Sequence, residues 1–159
     1  MTLDEYIQTL PPEYWYDPQV DLWIDPRDSA EWVIGANAFV TYYGQFVIFY
    51  PKAAGTVVQA NESLGVMETW KTAFGIQSPI HCTITQGNES VAADVSLARL
   101  DPYGAGWLFR VKPSHPSEKP TGLLDHSGYV AWLTEYGEQQ FASLRPQQDL
   151  TPYDPLAGI

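Results

Sequence analysis

The chain predicts a mainly β protein, a set of antiparallel strands with a helix at either end. Three observations carry this expectation. Thirteen prolines and 12 glycines in 159 residues disfavour a helical bundle, because proline breaks helices. Aromatic residues, which favour pleated surfaces, make up 14% of the chain. The apolar residues fall in short runs bounded by Pro, Gly, Asn and Asp, the spacing of strands and turns. The length suits one domain large enough for a proper core.

The elements follow in order. Thr2 to Leu10 reads as a short helix: Thr2 and Glu5 have capping-box spacing, and Pro11-Pro12 ends it. Leu22-Trp23-Ile24 is a strand, followed by a turn at Asp25-Pro26-Arg27-Asp28. Glu31 to Ile34 is the next strand, ending at Gly35. Ala38 to Tyr43 reads as one helical turn before Gly44. Gln45 to Tyr50 is a continuous apolar strand closed by Pro51, and Thr56-Val57-Val58 follows a turn at Ala53-Ala54-Gly55. Asn61 is expected in the left-handed region, which Asn tolerates. Leu64 to Thr69 and Ala73 to Gln77 form the arms of a hairpin. Ile80 to Thr85 is a strand turning at Gly87-Asn88, Ser90 to Leu100 a short helix, and Gly106 to Val111 a final strand. Asp125 caps a C-terminal helix on which Tyr129, Trp132, Leu133 and Tyr136 form one stripe, with Phe141 and Leu144 as its extension. Pro146 to Ile159 reads as an extended tail.

Composition removes several function classes. Nineteen acidic against 8 basic residues give a net charge of −11. A nucleic-acid binder needs a cationic face, so the charge argues against that role. An acidic carrier docking on basic enzyme surfaces fits the charge, as does a merely well-solvated surface. The single cysteine, Cys82, excludes an intrachain disulfide and any multi-cysteine metal site. No apolar run approaches the ~20 residues of a membrane span, and the start of the chain has no secretory signal. The expected compartment is cytoplasmic.

The residue that matters most is Lys71, one of only four lysines with Lys52, Lys112 and Lys119. It lies at the expected hairpin tip, three residues after Glu68. Around it the chain resembles the H protein of the glycine cleavage system and related lipoyl carriers. The family's Gly-Glu-x-x-Gly-x-x-Glu-Ser-x-Lys-Ala segment matches Asn61-Glu62-Ser63-Leu64-Gly65-Val66-Met67-Glu68-Thr69-Trp70-Lys71-Thr72. Its Ser-Pro after the hairpin is Ser78-Pro79. Its Asp-Pro-Tyr-Gly-x-Gly-Trp-Leu segment is Asp101-Pro102-Tyr103-Gly104-Ala105-Gly106-Trp107-Leu108. Its C-terminal Leu-Leu-Asp…Tyr…Leu helix is Leu123-Leu124-Asp125…Tyr129…Leu133. The likeness runs from about Trp23 to Leu133.

The resemblance implies a lipoyl-domain fold, a flattened antiparallel β-sandwich with flanking N- and C-terminal helices. Residues 1–20 would be a helical extension, 21–136 the lipoyl domain, and 137–159 the end of the last helix and a proline-rich tail. It implies a carrier without catalysis of its own, with lipoate amide-linked to Lys71. Trp70, Thr72 and Ala73 complete the tip. Glu68 is either a recognition residue for a lipoate-protein ligase or a solubilising strand residue. Trp70 is either a partner contact or lid over the tether, or a core residue. Biotinyl carriers place Met on both sides of their lysine, so Trp70 and Thr72 argue against biotin. Cys82 reads as a small buried hydrophobe rather than a redox partner; His81 beside it would point to the opposite strand face. His115 and His126 suggest no metal site, and Trp107, Trp132 and Tyr103 read as core.

The chain also departs from the glycine-cleavage type. That type has His-Glu-Trp on the first strand where this chain has Asp21-Leu22-Trp23, and Asn-Pro-Glu-Leu-Val-Asn where this chain has Asp94-Val95-Ser96-Leu97-Ala98-Arg99. Phe39, Tyr42, Tyr43, Trp70 and Phe74 make the surroundings of the tip more aromatic. These departures favour a resemblance to the lipoate-binding proteins of bacterial sulfur oxidation, whose partner is a heterodisulfide-reductase-like complex. The alternatives are a glycine-cleavage carrier serving the glycine cleavage enzymes and dihydrolipoamide dehydrogenase, and an unlipoylated interaction scaffold.

Overall fold

The computed structural model describes residues 1–144, with the side chains of Tyr43 and 141–144 outside the described part. The tail expected over 146–159, the tip-aromatic role of Tyr43 and the stripe extension at Phe141 and Leu144 therefore lie outside the described residues. In chain order the elements are α1 (Leu3–Thr9), β1 (Trp15–Asp17), β2 (Leu22–Asp25), β3 (Trp32–Ala36), α2 (Ala38–Gly44), β4 (Phe46–Pro51), β5 (Val57–Val58), β6 (Ser63–Thr69), β7 (Ala73–Gln77), β8 (Cys82–Gly87), α3 (Glu89–Ala93), α4 (Ser96–Leu100), β9 (Phe109–Pro113) and α5 (His126–Leu144).

The strands form two antiparallel sheets, six strands in the order β1-β2-β3-β9-β8-β5 and three in the order β4-β6-β7. Their facing sides make the main core, with Ile24, Trp32, Ile34, Leu64, Met67, Ile84 and Val111. Phe49 and Phe109 meet edge to face across it, ring centres 5.4 Å apart. This is the flattened antiparallel sandwich with flanking helices that the sequence implied.

A second core lies outside the first strands. Leu22, Trp23 and Ile24 are all buried, because β2 is covered on both faces. Leu22 and Ile24 face the opposite sheet, while Trp23 belongs to an aromatic layer with Tyr6, Tyr16, Phe39 and Tyr129. The Tyr6 and Tyr129 hydroxyls are 2.8 Å apart, and Tyr16 stacks on Tyr129 at 4.8 Å. The Thr2–Glu5 capping box forms and fixes the start of α1. Asp125 Oδ1 accepts the Gly128 N–H at 2.8 Å and holds the turn that opens α5.

Several expectations need correction. The helix expected over Ser90 to Leu100 is two short helices. Asp94 breaks it: its extended backbone (φ −146, ψ 94) ends α3, and its carboxylate accepts the Ser96 N–H at 3.1 Å. Strand β1 was not anticipated, because Pro11-Pro12 and Pro18 surround it; β2 and a bridge to Leu124 hold it. The last strand begins at Phe109 rather than Gly106. The preceding segment is a latch: Asp101 O accepts the Gly106 N–H at 2.8 Å, and Pro102 O accepts the Trp23 indole N–H at 3.1 Å. A Cβ on Gly106 would lie 2.5 Å from Leu97 O, so only glycine fits there. Tyr103, Trp107 and Trp132 are half-buried at the margin of the aromatic layer rather than fully in the core.

Candidate functional site: the β6–β7 tip and the cavity behind it

The hairpin is pinned at its base. Asn61, at φ 73, turns the chain into β6. The Ser78 N–H donates to Glu62 O and the Asn61 N–H to Ser78 O, both at 2.8 Å. Ser78 itself is buried and donates its hydroxyl to Ile80 O at 2.7 Å. The Ser-Pro pair is thus a structural clamp for the hairpin. Gly65 lets β6 cross close to β4, because a Cβ there would meet the backbone of Tyr50 and Pro51.

At the other end, Trp70 and Lys71 form a two-residue tip closed by the Thr69 N–H on Thr72 O at 2.7 Å. Lys71 and Thr72 are exposed, as is Ala73 at the start of β7, where it pairs with the half-buried Glu68. Trp70 is 53% exposed, which places it outside the core. Phe74, 42% exposed, lies with its ring centre 5.8 Å from that of Phe46, and Tyr42 on α2 is 45% exposed. Of the aromatic residues expected around the tip, Phe39 is the exception; it is buried in the layer with Tyr6.

Behind the tip lies a cavity of about 190 Å³. Val20, Asp21 and Leu22 line one side, Phe74, Gly75 and Ile76 of β7 another, and the buried Met67 and Leu108 also contribute. β7 thus joins the two features, since the residues lining the cavity begin three positions after Lys71, roughly 10 Å of extended strand. Among the described residues the lining is apolar except for Asp21 and Gln77, and Asp21 is its one ionisable group. Asp21 has φ 56, with its N–H on Asp17 O and its C=O accepting the Asn37 N–H, each at 3.0 Å. Its carboxylate accepts one amide N–H, from Gln140 of α5 at 3.1 Å. Burial pushes the Asp21 pKa up to about 6, with Asp17 adding to the rise and Gln140 opposing it.

Cys82 is buried with its sulfur 3.8 Å from Ser78 Oγ, and burial raises its thiol pKa while Ser78 opposes the rise. That is the opposite of an activated thiolate. His81 faces outward, its Nδ1 accepting the Ala60 N–H at 3.1 Å. Among the described residues no group of three or more His, Cys, Asp or Glu could hold a metal ion, and no helix is long and apolar enough to cross a membrane. Sequence reasoning singled out Asp21 but missed the cavity. It had no signal for Gln140, which meets Asp21 only through the packing of α5.

A sandwich that presents a lysine on a hairpin tip, beside an apolar cavity, has the form of a carrier for a tethered group. The comparisons agree. The family profile described as "Glycine cleavage H-protein" matches residues 14–136, so the chain belongs to the H-protein family of lipoyl carriers. It is 40% identical over 94 residues to a glycine cleavage system H protein of Halorhodospira halophila, covering 59% of this chain and 72% of that protein. It is 32% identical to one of Magnetococcus marinus over 127 residues, 79% of this chain and 88% of that protein. The crystal structure of an H protein from Mycobacterium marinum superposes with a TM-score of 0.66 at 28% identity, covering 80% of this chain and 99% of that one. Members of the family carry lipoate covalently on a lysine and have no catalytic activity of their own.

Proposed function

We propose that this chain is a lipoyl carrier of the glycine-cleavage type, with lipoate amide-linked to Lys71. The observation that carries this reading is the exposure of Lys71 at the tip of a clamped hairpin, in the register of the family's Glu-Ser-x-Lys segment. The residues fit the group: nothing buries the lysine, and an apolar cavity lined by β7 can shelter the ring end of a flexible arm. When bound, the dithiolane supplies redox and group-transfer chemistry through thiol–disulfide exchange. The protein's part is to present the tether, raise its local concentration at each partner enzyme, and exclude water from the sheltered end. Glu68 serves recognition by a lipoate-protein ligase, Trp70 is a contact for a partner enzyme, and Thr72 and Ala73 complete the tip around Lys71. Glycine cleavage enzymes and dihydrolipoamide dehydrogenase are the partners. The family match and the H-protein relatives support this cargo over the sulfur cargo favoured by the first-strand residues alone.

Sulfur remains the second reading because of one observation. Where the family resemblance has His-Glu, this chain has Asp21 and Leu22, and both line the cavity. Leu22 offers no hydrogen bond, and Asp21 can pair with an amine but cannot act as a neutral imidazole.

The first test is peptide mass spectrometry after exposure to a lipoate ligase. One lipoyl amide at Lys71, absent in Lys71→Arg, is expected; modification of Lys52, Lys112 or Lys119 would refute the assignment, and an unmodified chain would support a scaffold. The second test mixes lipoylated protein with glycine-cleavage enzymes, and turnover is expected. Failure to turn over glycine, combined with sulfane sulfur on the reduced arm and binding to a heterodisulfide-reductase-like complex, would reverse the ranking. Gain of glycine turnover in Asp21→His with Leu22→Glu would then locate the cause on the first strand.

A further inference from the structure

We propose that Thr69 is a positioning residue for acylation of Lys71: beside the backbone bond from the Thr69 N–H to Thr72 O, its hydroxyl fixes the shape of the tip that presents the lysine. The inference rests on the reading of Lys71 as the attachment site. A two-residue hairpin normally takes a type I′ or II′ turn with positive φ at its first central residue, because that twist matches the flanking strands. Trp70 and Lys71 both keep negative φ, as side-chain-bearing residues prefer. A turn of that hand fits the twist of the flanking strands poorly, and of the two backbone bonds that could close it the Thr69 N–H to Thr72 O forms, at 2.7 Å.

Thr69 compensates within the tip. Its Oγ1 accepts the Lys71 N–H at 3.3 Å and the Thr72 N–H at 3.2 Å, and its O–H reaches Thr72 O at 3.2 Å. A hydroxyl has one donor and two acceptor sites, and all three are spent inside this turn. The Thr72 N–H, which would close a regular two-residue hairpin on the carbonyl of residue 69, is held by the side chain. Thr69 is itself anchored, paired with Phe46 at the start of β4. The Lys71 amide is thus tethered to the sheet through one side chain, while the Lys71 side chain stays exposed. A ligase that acylates Nζ meets a tip with one backbone geometry, which lowers the ordering cost of reaching the reactive arrangement.

The experiment compares Thr69→Val, which keeps the β-branched shape and removes the hydroxyl, with Thr69→Ser, which keeps the hydroxyl. Lipoate transfer to full-length protein by a purified ligase is followed by intact mass, and amide hydrogen exchange is read at Lys71 and Thr72. Thr69→Val is expected to lower kcat of transfer about tenfold with KM within twofold, to speed exchange of both amides about five- to tenfold, and to leave the thermal midpoint nearly unchanged. Thr69→Ser is expected to stay within twofold of the parent on every measure. Transfer to Thr69→Val at the parental rate, or equal impairment of Thr69→Ser, would overturn the role of the hydroxyl while leaving Lys71 as the attachment site. A parent protein that gains no mass at Lys71 would overturn the attachment site and this role together.

Discussion

In the layer beneath α1 and α5, Tyr6, Tyr16, Trp23 and Tyr129 are at most 1% exposed. Their hydroxyls and indole N–H all have partners in each other, in Pro11 O or in Pro102 O. Around the β6–β7 tip the same residue types, Tyr42, Trp70 and Phe74, are 42–53% exposed. In the first region aromatic area is removed from water on folding and its polar ends are matched, so it stabilises the chain. In the second, about half of that area remains exposed after folding. Strand β7 shows the same contrast, because only Ile76 of its five residues is buried, whereas β9 buries Phe109, Val111 and Pro113. Both sheets share the main core, but only the three-stranded sheet also carries the exposed tip.

The largest expected effect lies in the buried layer. Trp23→Ala removes a ring that stacks on Tyr14 at 4.8 Å and donates to Pro102 O, and should cost about 3–5 kcal/mol in denaturant unfolding. A loss below about 1 kcal/mol would show that the layer is peripheral to the fold.

Asp21 lies between the two regions. Its folded pKa of about 6 is above the ordinary carboxyl value of 3.8, so the unfolded chain releases this proton first as pH rises. The folded state therefore loses stability through that interval, and above it the full penalty stays. Asp21→Asn keeps an acceptor for Gln140 and suits the left-handed backbone. It should raise stability by on the order of 2 kcal/mol at about pH 7.5 and have almost no effect near pH 3.5. A gain that does not vary with pH would assign the effect to the backbone instead of the charge.

The smallest effect on folding belongs to Trp70→Ala, within ~0.5 kcal/mol of the parent, as for other surface sites. The same substitution should weaken binding of a glycine-cleavage partner by more than ~1 kcal/mol. A several-fold larger loss of stability with unchanged partner affinity would erase the contrast between tip and layer.

The parts legible in the sequence are those governed by local chemistry. Thr2 and Glu5 announced the cap of α1, Asn61 its left-handed turn, and the apolar arms around Trp70 and Lys71 their hairpin, since each depends on residues within a few positions of one another. The motif most specific to the family, Asp101 to Leu108, was legible as a match but not as the latch that joins α2, through the Ala38 N–H on the Tyr103 hydroxyl at 3.0 Å, and β2, through Trp23, to the last strand. The burial of Trp23 opposite Leu22 and Ile24, the pairing of Asp21 with Gln140 across 119 positions, and the cavity between β2 and β7 belong to tertiary structure alone. They arise where two sheets and a distant helix meet, and local sequence carries no record of which faces will do so. The sequence by itself determined that a lysine stands on a tight hairpin in an acidic, β-rich carrier. Only the packed structure decided that this hairpin backs onto an apolar cavity with the half-buried Asp21 on its wall, because burial and the pKa it imposes depend on every element that closes around the group.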